Sequence, residues 1–323
     1  MSESDNMGII DSMGTDGISP NHMSACIKAE AKSLGFCACG IAKAEAVDSI
    51  HRHNMEMWIS RGYHATMNYM TANSDKRYDP TLLVEGAKSV ICVALNYTPA
   101  RVISAQHPQI AYYAYGKDYH DIMKQKLTLL AERCHIDNYR AFCDTAPIME
   151  RYWAWRAGLG WIGRNHLLII PEHGNMTVIG IIITNIELQY DTPQTDRCGE
   201  CQQCIKHCPT GALRQDGFMD ANLCLSYQTI ENRGALSEHA IHHLGNNIFG
   251  CNECIKACPW NHRCQPTSEP LFAPNDHLFD MTAADWRMLT EDDYRTLFKG
   301  SAVKRTKYQG LMRNISAIRE TDE

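Results

Sequence analysis

The sequence predicts an α+β protein in three parts: a domain of alternating strands and helices, a compact cysteine-rich domain, and a short helical C-terminal segment. Two observations support this prediction. Apolar runs with strand and helix periods alternate over residues 23–190, and eight of the 15 cysteines fall within residues 198–258. A chain of 323 residues can bury a full core and divide into more than one unit. We place the parts at 1–22 (a flexible tail), 23–190, 191–266 and 267–323.

The elements of the first domain follow from apolar spacing and from glycine stops. A helix over 25–34 ends at Gly35, and a helix over 47–61 ends at Gly62. The β-branched run over 89–97 predicts a buried strand, and apolar residues at helical spacing predict a helix over 121–134. The other expected elements are strands over 36–42 and 139–143, a helix over 148–157, and a hairpin joining 167–170 to 176–185 around 171–174. Residues 191–196 are the expected linker into the cysteine-rich domain.

Composition limits the function classes. Hydrophobic residues make up 44% and charged residues 21%, as in ordinary globular domains. The net charge of −6 argues against a generally basic surface, so any contact with nucleic acid needs a local basic patch. The first 22 residues lack the basic start and apolar centre of a signal peptide, and no apolar stretch approaches the roughly 18 residues of a membrane helix. We therefore expect a cytoplasmic protein without membrane association.

The cysteine-rich domain contains two related cysteine runs. The first has the spacing C-x2-C-x2-C-x3-C-P, by which bacterial ferredoxins hold [4Fe–4S] clusters. It consists of Cys198, Cys201, Cys204 and Cys208, followed by Pro209. The second run repeats the last three positions with Cys251, Cys254 and Cys258, followed by Pro259, while Cys224 substitutes for the missing first cysteine. Eight thiolates give two complete sets of four ligands.

In such runs three thiolates bind one cluster and the fourth binds the neighbouring cluster. We therefore predict a ferredoxin-like domain with two [4Fe–4S] clusters and crossed ligand sets. The first set is Cys198, Cys201, Cys204 and Cys258, and the second is Cys208, Cys224, Cys251 and Cys254. Zinc is the main alternative, although its usual signature is two separated C-x2-4-C pairs. Disulfides would require an oxidising compartment.

Two further segments carry candidate chemistry. The loop from Gly158 to Gly163 matches the letters of the G-x-G-x-x-G dinucleotide fingerprint. The expected order of elements around it is reversed, since a helix precedes it and a strand follows, so we do not expect nicotinamide binding. Asp144 follows the strand over 139–143 and precedes the helix over 148–157. A carboxylate at that place can be catalytic or can cap the helix, and spacing leaves both alternatives open.

Taken together, these segments resemble the epoxyqueuosine reductases, cobalamin-dependent iron–sulfur enzymes that complete the queuosine nucleoside in tRNA. The resemblance rests on four features in order: residues 116–120 (GKDYH), residues 144–151 (DTAPIMER), residues 156–165 (RAGLGWIGRN) and both cysteine runs. It covers about residues 25–315. It implies reduction of epoxyqueuosine to queuosine at the tRNA wobble position, with electrons passing through two clusters to cobalamin.

The resemblance also implies residue roles in an N-terminal α/β domain that binds cobalamin and substrate. Asp144 matches the family's catalytic acid, and we expect burial to raise its pKa towards neutrality. Cobalamin-contacting positions are matched by Arg77, Asp144, Gly163, Arg164, Asn165 and Ser226. Ala111 stands near cobalt where some members carry cysteine. The D-x-H-x-x-G motif is absent because Met123 replaces its glycine, so base-off cobalamin without a histidine axial ligand is implied.

The expected partners are tRNA carrying epoxyqueuosine and an external electron donor, flavodoxin or ferredoxin, and we expect a monomer. The densest basic run contains Lys304, Arg305 and Lys307, which are candidate tRNA contacts. The alternative for this run is a solvated face of the C-terminal segment. Two other function classes stay open: a cobalamin reductase of another substrate class, such as organohalides, and a non-enzymatic dicluster electron carrier.

Overall fold

A four-stranded antiparallel sheet lies at the centre of the computed structural model, which describes residues 19–318. Its strand order is β1-β2-β7-β4. Because every pairing in this sheet is antiparallel, the first domain is of the α+β type. The strands are β1 (Ala38–Lys43), β2 (Ser89–Asn96), β3 (Gln109–Ile110), β4 (Tyr139–Phe142), β5 (Trp161–Ile162), β6 (Leu168–Ile169), β7 (Thr177–Thr184) and β8 (Asn247–Phe249).

Helices cover both faces of this sheet and form much of the rest of the chain. In the described residues, none is long and apolar enough to cross a membrane. Five precede the cysteine runs: α1 (Pro20–Ser33), α2 (Ser49–Ser60), α3 (Ser74–Tyr78), α4 (Tyr119–Arg133) and α5 (Glu150–Arg156). The others are α6 (Gln203–Lys206), α7 (Leu225–Ile230), α8 (Glu238–His243), α9 (Glu253–Lys256), α10 (His277–Asp280), α11 (Ala283–Met288), α12 (Glu291–Leu297) and α13 (Lys307–Ser316).

The central strand β2 is buried on both faces, which explains its uninterrupted apolar sequence. Ile91, Val93 and Leu95 pack into the core that contains α1 and α4. The alternate residues Val90, Cys92 and Ala94 pack into the core that contains α5. The sheet therefore separates two apolar layers, and it positions the ends of β4 and α5 next to each other.

Most expected elements of the first domain are present, but the predicted hairpin is wrong. Strand β6 pairs with β5, in the register Trp161 to Ile169, and β7 lies between β2 and β4 in the central sheet. A Cβ atom at Gly160 would lie 2.0 Å from the Ile169 carbonyl oxygen, so this close approach requires glycine. The first helix begins at Pro20 with Ser19 as its cap, so residues 20–22 belong to the helix. The rest of the expected tail, residues 1–18, lies outside the described residues.

The cysteine-rich and C-terminal segments share a core with residues 103–115. Strand β3 pairs in parallel with β8, and the N–H of Ala111 donates to the Phe249 carbonyl over 2.7 Å. Asn252 contacts the same segment, since its Oδ1 accepts from the N–H of Tyr112 over 3.3 Å. Buried Trp286 and Leu311 complete this core from the C-terminal helices. The second cysteine run is therefore attached directly to the first domain.

Candidate active site and cluster sites

A cavity at the first predicted cluster site is lined by cysteines from both runs. Cys198, Cys201 and Cys204 come from the first run, and Cys258 comes from the second. The indole Nε1 of Trp161 donates a hydrogen bond to Sγ of Cys198 over 3.4 Å. The structure therefore brings together the crossed set of four thiols that ferredoxin spacing predicts.

The other four predicted ligands lie close enough to influence one another. Burial raises the pKa of Cys251 to about 12, and the charges of Cys224 and Cys208 also raise it. Burial raises the pKa of Cys254 well above its usual value, with further contributions from Cys251, Cys224 and Cys208. The charge of Cys204, which belongs to the first set, also raises the pKa of Cys254. These thiols form a second group next to the first.

Burial raises the pKa of five of the predicted ligands, which therefore favour the protonated form until a metal binds: Cys204, Cys224, Cys251, Cys254 and Cys258. Because iron binds the thiolate form, cluster assembly must release protons. No group of three or more His, Cys, Asp or Glu side chains within residues 19–318 is arranged to hold a metal ion. The cluster assignment therefore depends on the cysteine spacing, on the shared cavity and on the mutual influence of the thiols.

Asp144 lies in the loop after β4, and it does not cap a helix. Its φ of 55° is in the left-handed region. Its N–H donates to Oε1 of Glu150 over 2.6 Å, and its Oδ2 accepts from the Tyr119 hydroxyl. The residue before α5 is Met149, which provides no side-chain cap. The helix-cap alternative is therefore wrong.

Asp144 and Glu150 form a carboxyl pair in which the pKa of Asp144 is lowered and the pKa of Glu150 is raised. Burial acts to raise the pKa of Asp144, but hydrogen bonds with Glu150 and Tyr119 outweigh it and lower the pKa. Burial, followed by the negative charge of Asp144, raises the pKa of Glu150 well above its usual value. The expected rise at Asp144 is therefore wrong, because the raised pKa belongs to its neighbour.

Asp144 lies near the surface in a region that also contains Tyr119, Tyr69 and Arg305, and we call this region the cleft. Its side chain is exposed, yet desolvation by surrounding protein is the largest influence on its pKa. A row of tyrosine rings lies behind it: Tyr119 and Tyr113 have centroids 5.6 Å apart, and Tyr113 and Tyr97 6.3 Å apart. Burial raises the pKa of Tyr97, and the charge of Cys254 raises it further. The row therefore extends from the carboxyl pair towards the second thiol group.

The predicted cobalamin contacts divide between the cleft and the thiol groups. Arg77, at the end of α3, is buried, and its Nη2 donates to the Tyr69 carbonyl over 2.7 Å. The Nε of Arg77 is buried and has no hydrogen-bond partner. Burial raises the pKa of Tyr69, and both Asp144 and Arg77 influence it, which places Tyr69 and Arg77 beside the cleft.

The loop from Gly163 to Asn165 is the turn between β5 and β6, and it lies against the thiols. The N–H of Gly163 donates to the Leu167 carbonyl over 2.9 Å. Arg164 and Asn165 line the first cavity, and Asn165 donates to the Cys254 carbonyl over 3.5 Å. Ser226 lies at the second group, where its N–H hydrogen-bonds to the Cys224 thiol.

The basic run lies beside the cleft. Arg305 forms a bidentate ion pair with Glu231, with 2.8 Å from both Nε and Nη2 to the carboxylate oxygens. Tyr69 and Tyr119 influence the pKa of Arg305, which Glu231 raises through its hydrogen bonds. Lys304 and Lys307 are exposed. Arg305 thus lies close to Tyr119, which contacts Asp144, although Arg305 already has a protein partner, and Lys304 lies close to Asp118.

Sequence reasoning did not assign roles to Tyr119, Glu150 or Tyr69. Tyr119 and Glu150 belong to the GKDYH and DTAPIMER segments, so these motifs contained a usable signal. Tyr69 belongs to none of the motifs. Its position beside the cleft becomes evident only from the structure, where its carbonyl accepts a hydrogen bond from Arg77.

The chain is similar to known proteins in sequence and in structure. The curated epoxyqueuosine reductase of Cellulophaga algicola is 42% identical over 297 residues, covering 91% of this chain and 97% of the relative. A crystal structure of epoxyqueuosine reductase with a tRNA-Tyr epoxyqueuosine-modified stem loop is 28% identical, with a TM-score of 0.83; the match covers 90% of this chain and 79% of that chain. A Bacillus subtilis epoxyqueuosine reductase, with its catalytic aspartate loop swung out of the active site, is 27% identical, with a TM-score of 0.82 and the same coverage.

Two family models match separate parts of the chain. The 4Fe-4S double cluster binding domain matches residues 197–261, which include all eight predicted ligands. The model described as epoxyqueuosine reductase QueG, DUF1730, matches residues 77–145, which include Arg77 and Asp144. The fold, the thiol groups and the carboxyl pair define an iron–sulfur oxidoreductase. The chain belongs to the epoxyqueuosine reductase family.

Proposed function

We propose that this protein reduces epoxyqueuosine to queuosine at the wobble position of tRNA. The observation that carries the proposal is the position of Asp144, at one end of a row of tyrosine rings that extends towards the second thiol group. The site can therefore deliver electrons and a proton to one bound group. Removal of an epoxide oxygen as water needs both, since it consumes two electrons and two protons.

The electron path runs through two [4Fe–4S] clusters. Cys198, Cys201, Cys204 and Cys258 would hold the first cluster, and Cys208, Cys224, Cys251 and Cys254 the second. Cys254 of the second set influences Tyr97, so a cluster on this set would pass electrons towards the cleft. Exposed Arg164 lines the cavity of the first set, so a cluster there would receive electrons from an external donor, flavodoxin or ferredoxin.

The residues around the cleft fit cobalamin as the final electron carrier. Arg77 supports this fit because its buried Nε lacks a partner and is available to a polar group of the corrin. Arg164, Asn165 and Ser226 would hold the side of the cofactor that faces the clusters. We propose base-off cobalamin without a histidine ligand because Met123 stands where the D-x-H-x-x-G motif needs its last glycine. When bound, cobalamin supplies reduced cobalt as the electron source.

Asp144 supplies the proton that the epoxide oxygen needs as its C–O bond breaks. A positioned general acid contributes about 10²–10⁴-fold to such a step. The Tyr119 hydroxyl and Glu150 fix the orientation of its carboxylate and of its backbone, respectively. We infer that the loop carrying Asp144 can also leave this position, as the catalytic aspartate loop does in the Bacillus subtilis relative.

The tRNA backbone would lie along the rim of the cleft. Exposed Lys304 and Lys307 can contact phosphates next to the target nucleotide, and Arg305 would do so by exchanging Glu231 for phosphate. Such contacts set affinity and its salt dependence, and they leave the chemistry of the bound base unchanged. We also propose that the protein acts as a monomer.

The test is anaerobic turnover of tRNA that carries epoxyqueuosine. The protein, reconstituted with iron, sulfide and cobalamin and supplied with a reductant, should produce queuosine in digested tRNA, measured by mass spectrometry of nucleosides. Omitting cobalamin should abolish the product. Turnover of an organohalide with no queuosine formed would identify the other cobalamin reductase class. Reversible cluster reduction without cobalamin binding or turnover would identify an electron carrier.

A further inference from the structure

Glu150 has no assigned role in the reaction, yet it accepts a hydrogen bond from the proposed acid. It is the first residue of α5, it is half-buried, and its Oε1 accepts the Asp144 N–H over 2.6 Å. We propose that Glu150 is a positioning residue that holds the Asp144 loop in place and stores the proton that Asp144 delivers. This inference rests on the proposed function and assigns a second carboxyl group to its proton path.

The positioning role follows from backbone geometry. A left-handed φ is unfavourable for an L-residue, although aspartate tolerates it better than most, so a local contact stabilises the φ of 55° at Asp144. A hydrogen bond from a backbone N–H to a carboxyl oxygen provides one. This bond closes the loop over residues 144–150, and the Tyr119 hydroxyl then holds Oδ2 from α4. Loss of the Glu150 contact would therefore release the loop in the direction of the swung-out position.

The proton-storing role follows from crowding of two carboxyl groups. Like charges in contact cannot both ionise, so the pair retains one proton near neutral pH. Tyr119 donates to Asp144 and favours its ionised form, which leaves the proton on Glu150. The titratable and charged groups that also influence this pair are Arg151, His120, Cys143 and Cys92. An isolated aspartate in the same place would hold almost no proton at neutral pH.

The proton path is balanced without any further reactant. The Glu150 carboxyl first transfers its proton to the Asp144 carboxylate. Asp144 then gives this proton to the departing epoxide oxygen and becomes a carboxylate again, and solvent restores the proton on Glu150. No electrons move in these transfers, since the two electrons of the reduction come from the clusters through the cofactor.

Glu150→Gln separates proton storage from positioning. Its amide oxygen can still accept the Asp144 N–H, but the side chain has no acidic proton to transfer. We expect kcat to fall about 10²-fold while KM for tRNA is unchanged. The alkaline limb of the pH profile should move to lower pH, because the pair then loses its last proton at the lower pKa of Asp144. The matched control is Glu56→Gln, on exposed α2, which should keep the wild-type rate and pH profile.

Infrared difference titration tests the same proposal without turnover. Wild-type protein should show a protonated carboxyl band that persists above neutral pH. Glu150→Gln should lose this band, and Asp144→Asn should move its titration to lower pH by removing the neighbouring charge. A wild-type protein without such a band, or a Glu150→Gln variant with the wild-type kcat and pH profile, would overturn the inference. Absence of queuosine formation by wild-type protein would instead refute the proposed function, since the band does not depend on it.

Discussion

The assignment of Cys258 and Cys251 to different clusters gives the sharpest test of the crossed ligand sets. In the structure Cys258 lines the cavity of Cys198, Cys201 and Cys204, although it lies 60 positions away from Cys198 in the chain. Its neighbour in the second run, Cys251, groups with Cys208 and Cys224. If each run instead held its own cluster, Cys251 and Cys258 would be ligands of the same one.

The two schemes predict different iron contents. Each cluster carries four irons, so the wild-type protein should contain about eight. Cys258→Ala or Cys251→Ala alone should leave about four in either scheme. The double variant should lose both clusters and retain about zero irons with crossed ligands, but about four with local ligands. Colorimetric iron determination after anaerobic reconstitution, with electron paramagnetic resonance of the reduced protein, distinguishes these values.

Cys264→Ala is the matched control for this experiment. Cys264 lies six positions after Cys258, and its thiol contacts the Trp260 carbonyl at 3.5 Å, so the substitution disturbs the same region. Because Cys264 belongs to neither ligand set, this variant should keep about eight irons. Four irons in the double variant would refute the crossed sets. Stoichiometric zinc in anaerobically purified wild-type protein would refute the clusters themselves.

Three more predictions concern the cleft and its rim. Asp144→Asn should keep cobalamin and both clusters but lose turnover by about 10²-fold or more, and a wild-type rate would exclude Asp144 as the acid. The double variant Lys304→Ala and Lys307→Ala should raise KM for tRNA while kcat stays nearly constant. The slope of log KM against log salt should fall by about one to two units, and an unchanged slope would place the tRNA surface elsewhere. Burial lowers the pKa of His120, but the Asp118 hydrogen bond and charge outweigh it and raise the pKa, so Asp118→Asn should lower it in an NMR titration. The stability that this pair contributes should be complete below about pH 6.5 and be lost as pH rises through the raised pKa of His120, which thermal melts at a series of pH values would detect.

The sequence predicts elements well where one local signal decides them. Strand β2 and helix α4 are close to their expected bounds, because a continuous β-branched run and a regular apolar spacing leave few alternatives. The hairpin prediction failed because adjacency in sequence favoured pairing β6 with the next apolar run. The actual partner of β6 is β5, a two-residue strand whose pairing depends on the glycine at position 160.

In the candidate site, too, the features set by local sequence could be predicted and those set by tertiary contacts could not. Cysteine spacing predicts the ligand sets because cluster geometry is encoded within a few residues. The location of the proton could not be predicted, because it depends on desolvation and on Tyr119, which reaches Asp144 from 25 positions earlier in the chain. Burial alone would raise the pKa of Asp144, and only the tertiary contacts reverse that direction. The ion pair of Arg305 with Glu231 likewise joins residues 74 positions apart, so composition could not reveal it.

The parallel pairing of β3 with β8 has a consequence for biosynthesis. Gln109 and Ile110 leave the ribosome long before Asn247, which pairs with Gln109. At 5–20 residues per second, β3 waits roughly 7 to 28 seconds for its partner, with a strand edge that other chains could pair with. Asn252 attaches this junction to the second cysteine run, so β3 gains its partner strand as the last thiols arrive. Cluster assembly on the second run should therefore also stabilise the edge of β3.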